Sequence, residues 1–161
     1  PWAATGWKPG DDPAKRAQIN SIYINTEDLA IHNDELQKVY REIEANECMF
    51  EEYKTEDAEF IITAFGTVAR IAKSAVDELR EQGIKVGLFR PITLWPFPEK
   101  EIHELAKTKK GILVVEINAG QMVQDVRLAV NGQTPVEHFG RLGGIVPEPE
   151  EIVEALKKLI K

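Results

Sequence analysis

A proline-rich stretch, Leu88–Pro98 (LFRPITLWPFP), constrains the fold of this chain more than any other segment. An apolar run ends in Arg90, and three prolines and two large aromatic residues, Trp95 and Phe97, then follow within eight residues. Each proline fixes φ and removes a backbone N–H donor, so neither a helix interior nor a central strand tolerates this composition. The residues that precede the prolines are also restricted to extended conformations. We therefore predict that a buried strand ends near Arg90, that a rigid connection follows, and that a helix starts at Pro98.

The chain from Glu59 onward alternates between short apolar runs and segments with helical spacing of apolar residues. The apolar runs predict strands at 60–64, 85–89, 112–117 and 135–139. Each of them precedes a predicted helix. This alternation is typical of a three-layer α/β/α fold in which a doubly wound, mostly parallel sheet is connected by right-handed crossovers.

Composition divides the chain into three parts. We predict an irregular arm at 1–25, an acidic helix with a short edge strand at 26–58, and the α/β core at 59–161. Asn25 or Thr26 is predicted to cap the acidic helix, which would bury one narrow apolar edge. The length suits one domain, so the second and third parts are expected to fold together.

Large aromatic side chains in irregular segments are candidate contact points. We predict four interface residues: Trp2, Trp7, Trp95 and Phe97. No periodic pattern buries the two tryptophans of the arm, because they stand among glycines and prolines. An arm that folds back on its own domain is the alternative explanation for these two.

Charge and composition limit the partners and the location. The net charge of −7 argues against binding to nucleic acid phosphates. The acidity is concentrated at 27–59, where twelve acidic residues face three basic ones; this is either a solvated helix face or a contact for a basic surface of another subunit. No apolar run reaches the roughly 20 residues of a membrane span, and no signal peptide is visible. Together with the single cysteine, Cys48, these features lead us to expect a cytoplasmic protein without membrane contacts.

Several classes of active site lack their residues in this sequence. The two serines stand outside a G-x-S-x-G motif. The three histidines share no metal-ligand spacing, and an iron–sulfur cluster normally needs about four thiolates. Cys48 is expected to have a raised pKa because acidic residues flank it: Glu47, Glu51 and Glu52. We therefore predict no catalytic residue and no metal site in this chain.

Two further motifs accompany the proline-rich stretch: GTVARIAKSAVDEL at Gly66–Leu79 and VVEINAGQMVQDVRLAVNG at Val114–Gly132. Together the three resemble the C-terminal domain of the alpha subunit of 2-oxoacid:ferredoxin oxidoreductases, and the branched-chain (2-oxoisovalerate) type looks nearest. The resemblance implies the fold of the transketolase C-terminal domain, a five-stranded sheet in the order 1-3-2-4-5 with strand 1 antiparallel. Strand 1 would then be the segment Cys48–Tyr53.

The resemblance also implies an activity for the whole enzyme. Members of this family oxidatively decarboxylate a 2-oxoacid to an acyl-CoA and reduce ferredoxin, using thiamine diphosphate, Mg²⁺, iron–sulfur clusters and coenzyme A. The implied partners are the N-terminal domain of the same alpha subunit, the beta subunit, a cysteine-rich (gamma) subunit and ferredoxin. An acidic ferredoxin would be repelled by the segment 27–59, so it is not expected to dock there.

Within that enzyme, this chain is expected to be a structural and interface domain that binds none of the cofactors and is inactive alone. The Gly-Asp-Gly signature of thiamine diphosphate sites is absent, since Gly10-Asp11-Asp12 does not match it. Two alternatives remain open at this point: a free-standing module that binds a nucleotide or anion, and the dimerisation domain of another thiamine enzyme. The motifs do not identify the 2-oxoacid.

A crevice at the carboxyl edge of the sheet is the candidate ligand site. In open α/β sheets, ligands bind where the strand order reverses, which on the implied order lies between strands 60–64 and 112–117. The lining residues would be Gly66, Thr67, Asn118, Gly120 and Gln121, with Glu116 just inside. Each loop precedes a helix N-terminus whose N–H groups could hold an anion. Alternatively, the glycines only permit tight turns and Thr67 only caps its helix.

Two arginines are further candidates for anion contacts. Arg141 stands in a glycine-rich loop, Gly140–Gly144, that is either a phosphate cradle or a flexible connection or subunit contact. Arg90 ends a predicted strand, where it either binds a carboxylate or simply ends the strand in solvent.

Overall fold

The structure is a computed structural model that describes residues 6–16 and 22–161. The chain separates into two compact units, Pro1–Tyr40 and Arg41–Lys161. The first unit contains a short 3₁₀ turn at Pro13–Lys15 and most of helix α1, which spans Thr26–Asn46.

Helix α1 begins where the sequence predicts. The side chain of Asn25 accepts a hydrogen bond from the N–H of Glu27 at 3.0 Å, which confirms Asn25 as the cap. The prediction that this helix buries one apolar edge is wrong, because α1 contains no buried residue. Leu29 and Val39 of the apolar stripe are 38% and 48% exposed. The described part of the first unit adds only a short turn to this helix, so it has no second element large enough to cover the stripe.

Five strands form one sheet in the second unit. Their bounds are Phe50–Tyr53 (β1), Phe60–Thr63 (β2), Val86–Pro91 (β3), Gly111–Glu116 (β4) and Val136–Gly140 (β5). The strand order is β1-β3-β2-β4-β5. β1 pairs antiparallel with β3, and all other pairs are parallel. The order and the antiparallel first strand that the family resemblance implied are confirmed.

Four helices cover the two faces of the sheet. They are α2 (Gly66–Glu81), α3 (Glu99–Ala106), α4 (Met122–Val130) and α5 (Pro149–Ile160). α2 and α5 share one buried cluster with Ile62, whereas α3 and α4 share the other with Ile61. Neighbouring residues of a strand point to opposite faces, so a central strand buried on both sides reads as a continuous apolar run. This confirms the three-layer α/β/α fold.

The proline-rich connection is bonded to the residue that precedes β1. The backbone N–H of Ile92 donates to the carbonyl of Met49 at 2.9 Å, and the Thr93 hydroxyl donates to the carbonyl of Pro96 at 2.8 Å. β3 extends to Pro91 because β1 pairs with it there, one residue beyond the predicted end. Pro98 is the N-cap of α3 and not its first helical residue. Among the described residues, no helix is both long and apolar enough to cross a membrane.

Candidate functional site

The predicted crevice lies at the carboxyl edge of the sheet, where the loops after β2 and β4 begin. These two strands are parallel neighbours, with Thr63 opposite Val114. The structure therefore places Gly66 and Thr67 on one side of the strand-order reversal and Asn118–Gln121 on the other. The two loops lead into α2 and α4, whose N-termini differ in their hydrogen bonding.

The N-terminus of α4 is occupied by a carboxylate of the chain itself. Glu116, the last residue of β4, is only 1% exposed. Its carboxylate accepts hydrogen bonds from the backbone N–H of Gln121 (3.2 Å), Met122 (2.9 Å) and Val123 (3.1 Å), and from the side-chain amide of Asn118 (3.0 Å). These are the N–H groups that an external anion would need. This half of the crevice is therefore already filled by a negative charge.

The loop between β4 and α4 is folded around this carboxylate. The Asn118 side-chain oxygen accepts from the N–H of Gly120 at 2.7 Å, and Gly120 has a φ of +105° that favours glycine. For Asn118, Gly120 and Gln121 the tight-turn interpretation therefore accounts for the geometry. Sequence reasoning placed Glu116 at the crevice but missed its role; the available signal was a carboxylate that ends an otherwise apolar strand just before a helix.

His138 of β5 lies beside the same carboxylate. Its Nε2 atom is 3.6 Å from Oε1 of Glu116, and that buried nitrogen has no hydrogen-bond partner among the described residues. A Cβ atom at Gly140 would overlap both the His138 ring and the carbonyl oxygen of Asn118. A Cβ at Gly120 would lie 3.6 Å from the same ring. The absence of a side chain at Gly140 thus leaves the space that the imidazole fills, whereas Gly120 only contacts the ring.

The N-terminus of α2 has no such partner. Phe65 is its N-cap and no side chain caps the first turn. Gly66, with a φ of +58°, and Thr67 are both exposed. The predicted capping role of Thr67 is wrong: the turn at Gly66 moves the N-cap back to Phe65, so Thr67 lies inside the helix, past the position from which a side chain caps. No side chain in the described part of the sequence, residues 6–16 and 22–161, is seen to accept from the first N–H groups of α2.

Both candidate arginines bind carboxylates of the chain. Arg141 forms an ion pair with Glu151 of α5 and lies 5.7 Å from the ring centroid of Phe139. Arg90 binds Glu51 of the neighbouring strand at 2.9 Å. The carboxylate partner predicted for Arg90 is therefore internal. Neither guanidinium is positioned as a free phosphate ligand.

The predicted interface residues have different surroundings. Trp2 lies outside the described residues. In the first unit, Trp7 is half-buried; its indole N–H donates to the carbonyl of Asp12 at 3.2 Å, and the Arg16 guanidinium lies 5.2 Å from its ring centroid.

The two aromatic residues of the proline-rich connection differ from each other. Trp95 is 56% exposed, as expected of a residue that contacts another surface. Phe97 is half-buried and packs against the cluster beneath α3 and α4. Phe97 thus anchors the connection to the core of its own domain, while Trp95 extends outward.

The environment of Cys48 confirms the direction of its pKa shift but not the cause. Burial raises the pKa of the thiol, Glu101 raises it further, and a hydrogen bond with Thr93 opposes both. The flanking glutamates of the sequence are not responsible. The thiol is therefore protonated at neutral pH and is a weak nucleophile. In the described part of the chain, no three His, Cys, Asp or Glu side chains are grouped so that they could hold a metal ion.

The sheet order, the antiparallel edge strand and the loops at the carboxyl edge define a doubly wound α/β domain of the transketolase C-terminal type. The chain belongs to the family described as pyruvate:ferredoxin oxidoreductase core domain II, whose model matches residues 58–152.

A curated relative covers nearly the whole chain. It is the ketoisovalerate oxidoreductase subunit VorB of Methanothermobacter marburgensis, which is 40% identical over 156 residues. The match includes 96% of this chain but only 44% of that subunit, so the chain spans less than half the length of this relative.

Two solved structures share the fold. The 2-oxoglutarate:ferredoxin oxidoreductase from Magnetococcus marinus, with 2-oxoglutarate, coenzyme A and succinyl-CoA bound, matches 91% of this chain and 25% of its own with a TM-score of 0.66 and 23% identity. A split-gene transketolase, described as an inactive beta4 tetramer, matches 70% of this chain and 41% of its own with a TM-score of 0.60 and 18% identity. These likenesses confirm the predicted transketolase-like fold.

Proposed function

We propose that this chain is the C-terminal domain of the alpha subunit of a branched-chain 2-oxoacid:ferredoxin oxidoreductase. The whole enzyme would convert 2-oxoisovalerate to its acyl-CoA with reduction of ferredoxin. The observation that carries the proposal is the 40% identity to VorB over 96% of the chain. Its reaction would take place in other domains, and this one would hold those domains in position.

The residues of the chain do not fit the family's cofactors. A diphosphate needs free N–H groups or cations, and the N-terminus of α4 already holds the Glu116 carboxylate. The N-terminus of α2 has uncapped N–H groups, but the described residues offer no metal-ligand cluster that would hold Mg²⁺. One cysteine is too few for an iron–sulfur cluster. Thiamine diphosphate, Mg²⁺, iron–sulfur clusters and coenzyme A would therefore be held chiefly by other parts of the enzyme.

The partners follow from the same proposal. They are the N-terminal domain of the same subunit, the beta subunit and the cysteine-rich (gamma) subunit, with ferredoxin as the electron acceptor of the assembly. The filled N-terminus of α4 weakens the alternative of a free-standing anion-binding module, because half of the crevice carries a negative charge. We expect a cytoplasmic enzyme.

The test is a comparison of the chain alone with the assembled enzyme that contains it. Reduction of a viologen dye is measured with thiamine diphosphate, Mg²⁺ and coenzyme A, using 2-oxoisovalerate, 2-oxoglutarate and pyruvate as substrates. We expect no turnover from the chain alone, and the highest kcat/KM of the assembly with 2-oxoisovalerate.

Each result has a distinct meaning. Turnover by the isolated chain would refute the structural role. A higher kcat/KM with 2-oxoglutarate or pyruvate would refute the branched-chain assignment while leaving the family intact. An assembly that oxidises none of the three substrates would refute the proposed activity.

A further inference from the structure

An open groove in the second unit is lined by the proline-rich connection. Its volume is about 610 Å³. Its lining comes from the C-terminal part of α1 with Cys48, from Leu94, Trp95 and Phe97 of the connection, from the first turn of α3, and from Asp125 of α4. We call it the acidic groove, for the reason that follows.

Carboxylates outnumber cations in the lining of the acidic groove. Four acids line it: Glu44, Glu99, Glu101 and Asp125. The two cations of the lining are Arg41 and Lys100. None of the four acids forms an ion pair with a described residue. With four acids and two cations in its lining, the groove carries an excess of negative charge.

Two apolar side chains of the acidic groove are exposed. Trp95 is 56% exposed and Leu94 45%. Met49 and Ile92, which are joined by a backbone hydrogen bond and do not line the groove, are each 49% exposed. Contiguous exposed apolar side chains are typical of protein contact sites, and tryptophan is among the residues that contribute most to binding.

We propose that the acidic groove binds a cationic segment of a neighbouring polypeptide, one that carries Lys or Arg beside an apolar side chain. An ammonium or guanidinium group would pair with the carboxylates of Glu44 and Glu101, and its apolar neighbour would cover Leu94. This proposal rests on the proposed function, because it takes the neighbour to be another domain or subunit of the same oxidoreductase.

Charge and shape exclude other occupants. An acidic protein would meet the unpaired carboxylates and be repelled. A second copy of this chain, with a net charge of −7, offers a poor electrostatic match. A polypeptide segment matches the groove better than a small cation does, because a small cation would leave the exposed Leu94 and Trp95 side chains uncovered.

The experiment places a photo-crosslinking residue, p-benzoylphenylalanine, at Leu94 in the assembled enzyme. The same residue at Leu128 of α4, which is 72% exposed, is the matched control outside the groove. After irradiation, the crosslinked peptides are identified by mass spectrometry. We expect the Leu94 variant to crosslink to a segment that has Lys or Arg next to the crosslinked position, and the Leu128 variant not to yield that peptide.

Charge reversal tests the electrostatic part. The double variant Glu44→Lys/Glu101→Lys is compared with Glu81→Lys/Glu137→Lys, which makes the same change in net charge at exposed positions outside the groove. We expect about a tenfold weaker association of the groove variant with the rest of the enzyme at low salt, and a smaller difference at high salt. Circular dichroism and the Tm confirm that both variants fold.

Protection of Cys48 from alkylation tests the proposal in the chain without any substitution. This thiol lines the acidic groove, so its alkylation by N-ethylmaleimide in alkaline buffer should be slower in the assembly than in the dissociated chain. Equal alkylation rates would contradict the proposal.

The possible results distinguish failure of the groove proposal from failure of the proposed function. If the assembly oxidises 2-oxoisovalerate but Leu94 crosslinks to an acidic or neutral segment, to a second copy, or to nothing, the groove proposal is overturned and the proposed function stands. The groove proposal is also overturned if the two double variants associate equally well. If the assembly lacks 2-oxoacid oxidation, the proposed function fails independently of the crosslink.

Discussion

Helices α2 and α4 begin at the same edge of the sheet, each near a glycine with a positive φ, yet their first turns differ. At α4 the buried carboxylate of Glu116 accepts three backbone N–H groups. At α2 the N-cap is Phe65, whose side chain accepts none. Phe65 and Glu116 each follow by two residues the last residue pair of β2 and β4, Thr63 and Val114. The Phe65 ring packs against the core, whereas the Glu116 carboxylate occupies the N-terminus of its helix.

This difference shows that a loop with glycine before a helix does not by itself identify an anion site. The preceding strand decides whether the N–H groups are available, because its last side chain can reach back to the helix. The following four predictions test this contrast, in order of the expected effect.

Replacement of Glu116 by Ala should have the largest effect. The N–H groups of Met122 and Val123 would remain buried without an acceptor, and we expect the free energy of unfolding to fall by about 3 kcal/mol. Urea unfolding, with both the midpoint and the slope recorded, measures this loss. The control Glu137→Ala, at the exposed position of β5, should change stability by less than about 0.5 kcal/mol. Equal losses for the two variants would contradict the role of Glu116.

The substitution Gly120→Ala should lower the free energy of unfolding more than Gly66→Ala does. Both glycines have a positive φ, so each substitution strains the backbone by about 1 kcal/mol. Only at Gly120 does the new Cβ meet a close neighbour, the Val123 Cγ1 atom at 3.1 Å, whereas at Gly66 nothing lies within 4 Å. We expect a total loss of about 2 kcal/mol at Gly120. A smaller loss at Gly120 than at Gly66, measured by thermal or urea unfolding, would show that the loop relaxes.

An added negative charge should stabilise the chain at the N-terminus of α2 and destabilise it at the N-terminus of α4. Thr67→Asp places a carboxylate in the uncapped first turn of α2 and should stabilise the chain by about 0.5 kcal/mol. Gln121→Asp places one beside Glu116 and should destabilise it by a similar amount. Thr67→Ala is the control and should be neutral, because Thr67 caps nothing. The prediction fails if both aspartates shift the Tm in the same direction.

Loss of the exposed ion pair between Lys54 and Asp77 of α2 should change the stability least, and the change should depend on pH. The Lys54 ammonium, 2.6 Å away, together with the Tyr53 hydroxyl, lowers the pKa of Asp77. A lowered pKa means that the pair stabilises the fold above the ordinary Asp pKa of about 3.9 and ceases to do so as the pH falls through the lower folded value.

Asp77→Asn should therefore lower the free energy of unfolding by only about 0.3 kcal/mol at neutral pH, since both side chains of the pair are about half exposed. The difference from the parent chain should vanish in acid, which urea unfolding at several pH values will show. A difference that persists or grows in acid would assign the effect to packing and not to charge.

The fold was largely predictable because the strands are buried on both faces. Phe60–Thr63 and Gly111–Glu116 are buried throughout and apolar except for their last residues, and glycine or proline marks most of the turns between elements. The wrong predictions concern local details, namely which residue caps a helix and whether a helix face is buried. Thr67 is not a cap, Pro98 is the N-cap and not the first residue of α3, and α1 buries no residue.

The candidate site was predicted less well, because contacts between distant residues decide it. The sequence placed Asn118, Gly120 and Gln121 correctly at the carboxyl edge, but their N–H and amide groups serve an internal carboxylate. Arg141 pairs with Glu151, which no local pattern reveals. The interface role of Trp7, Trp95 and Phe97 remains a prediction.

The sequence by itself determined the alternation of strands and helices, the rigid proline connection and the family, since these depend on local periodicity, backbone restriction and contiguous motifs. Only the tertiary structure decided which helix N-terminus is open and which carboxylates remain unpaired. Those outcomes depend on hydrogen bonds and charges from separate elements, and their geometry is fixed only when the sheet has assembled.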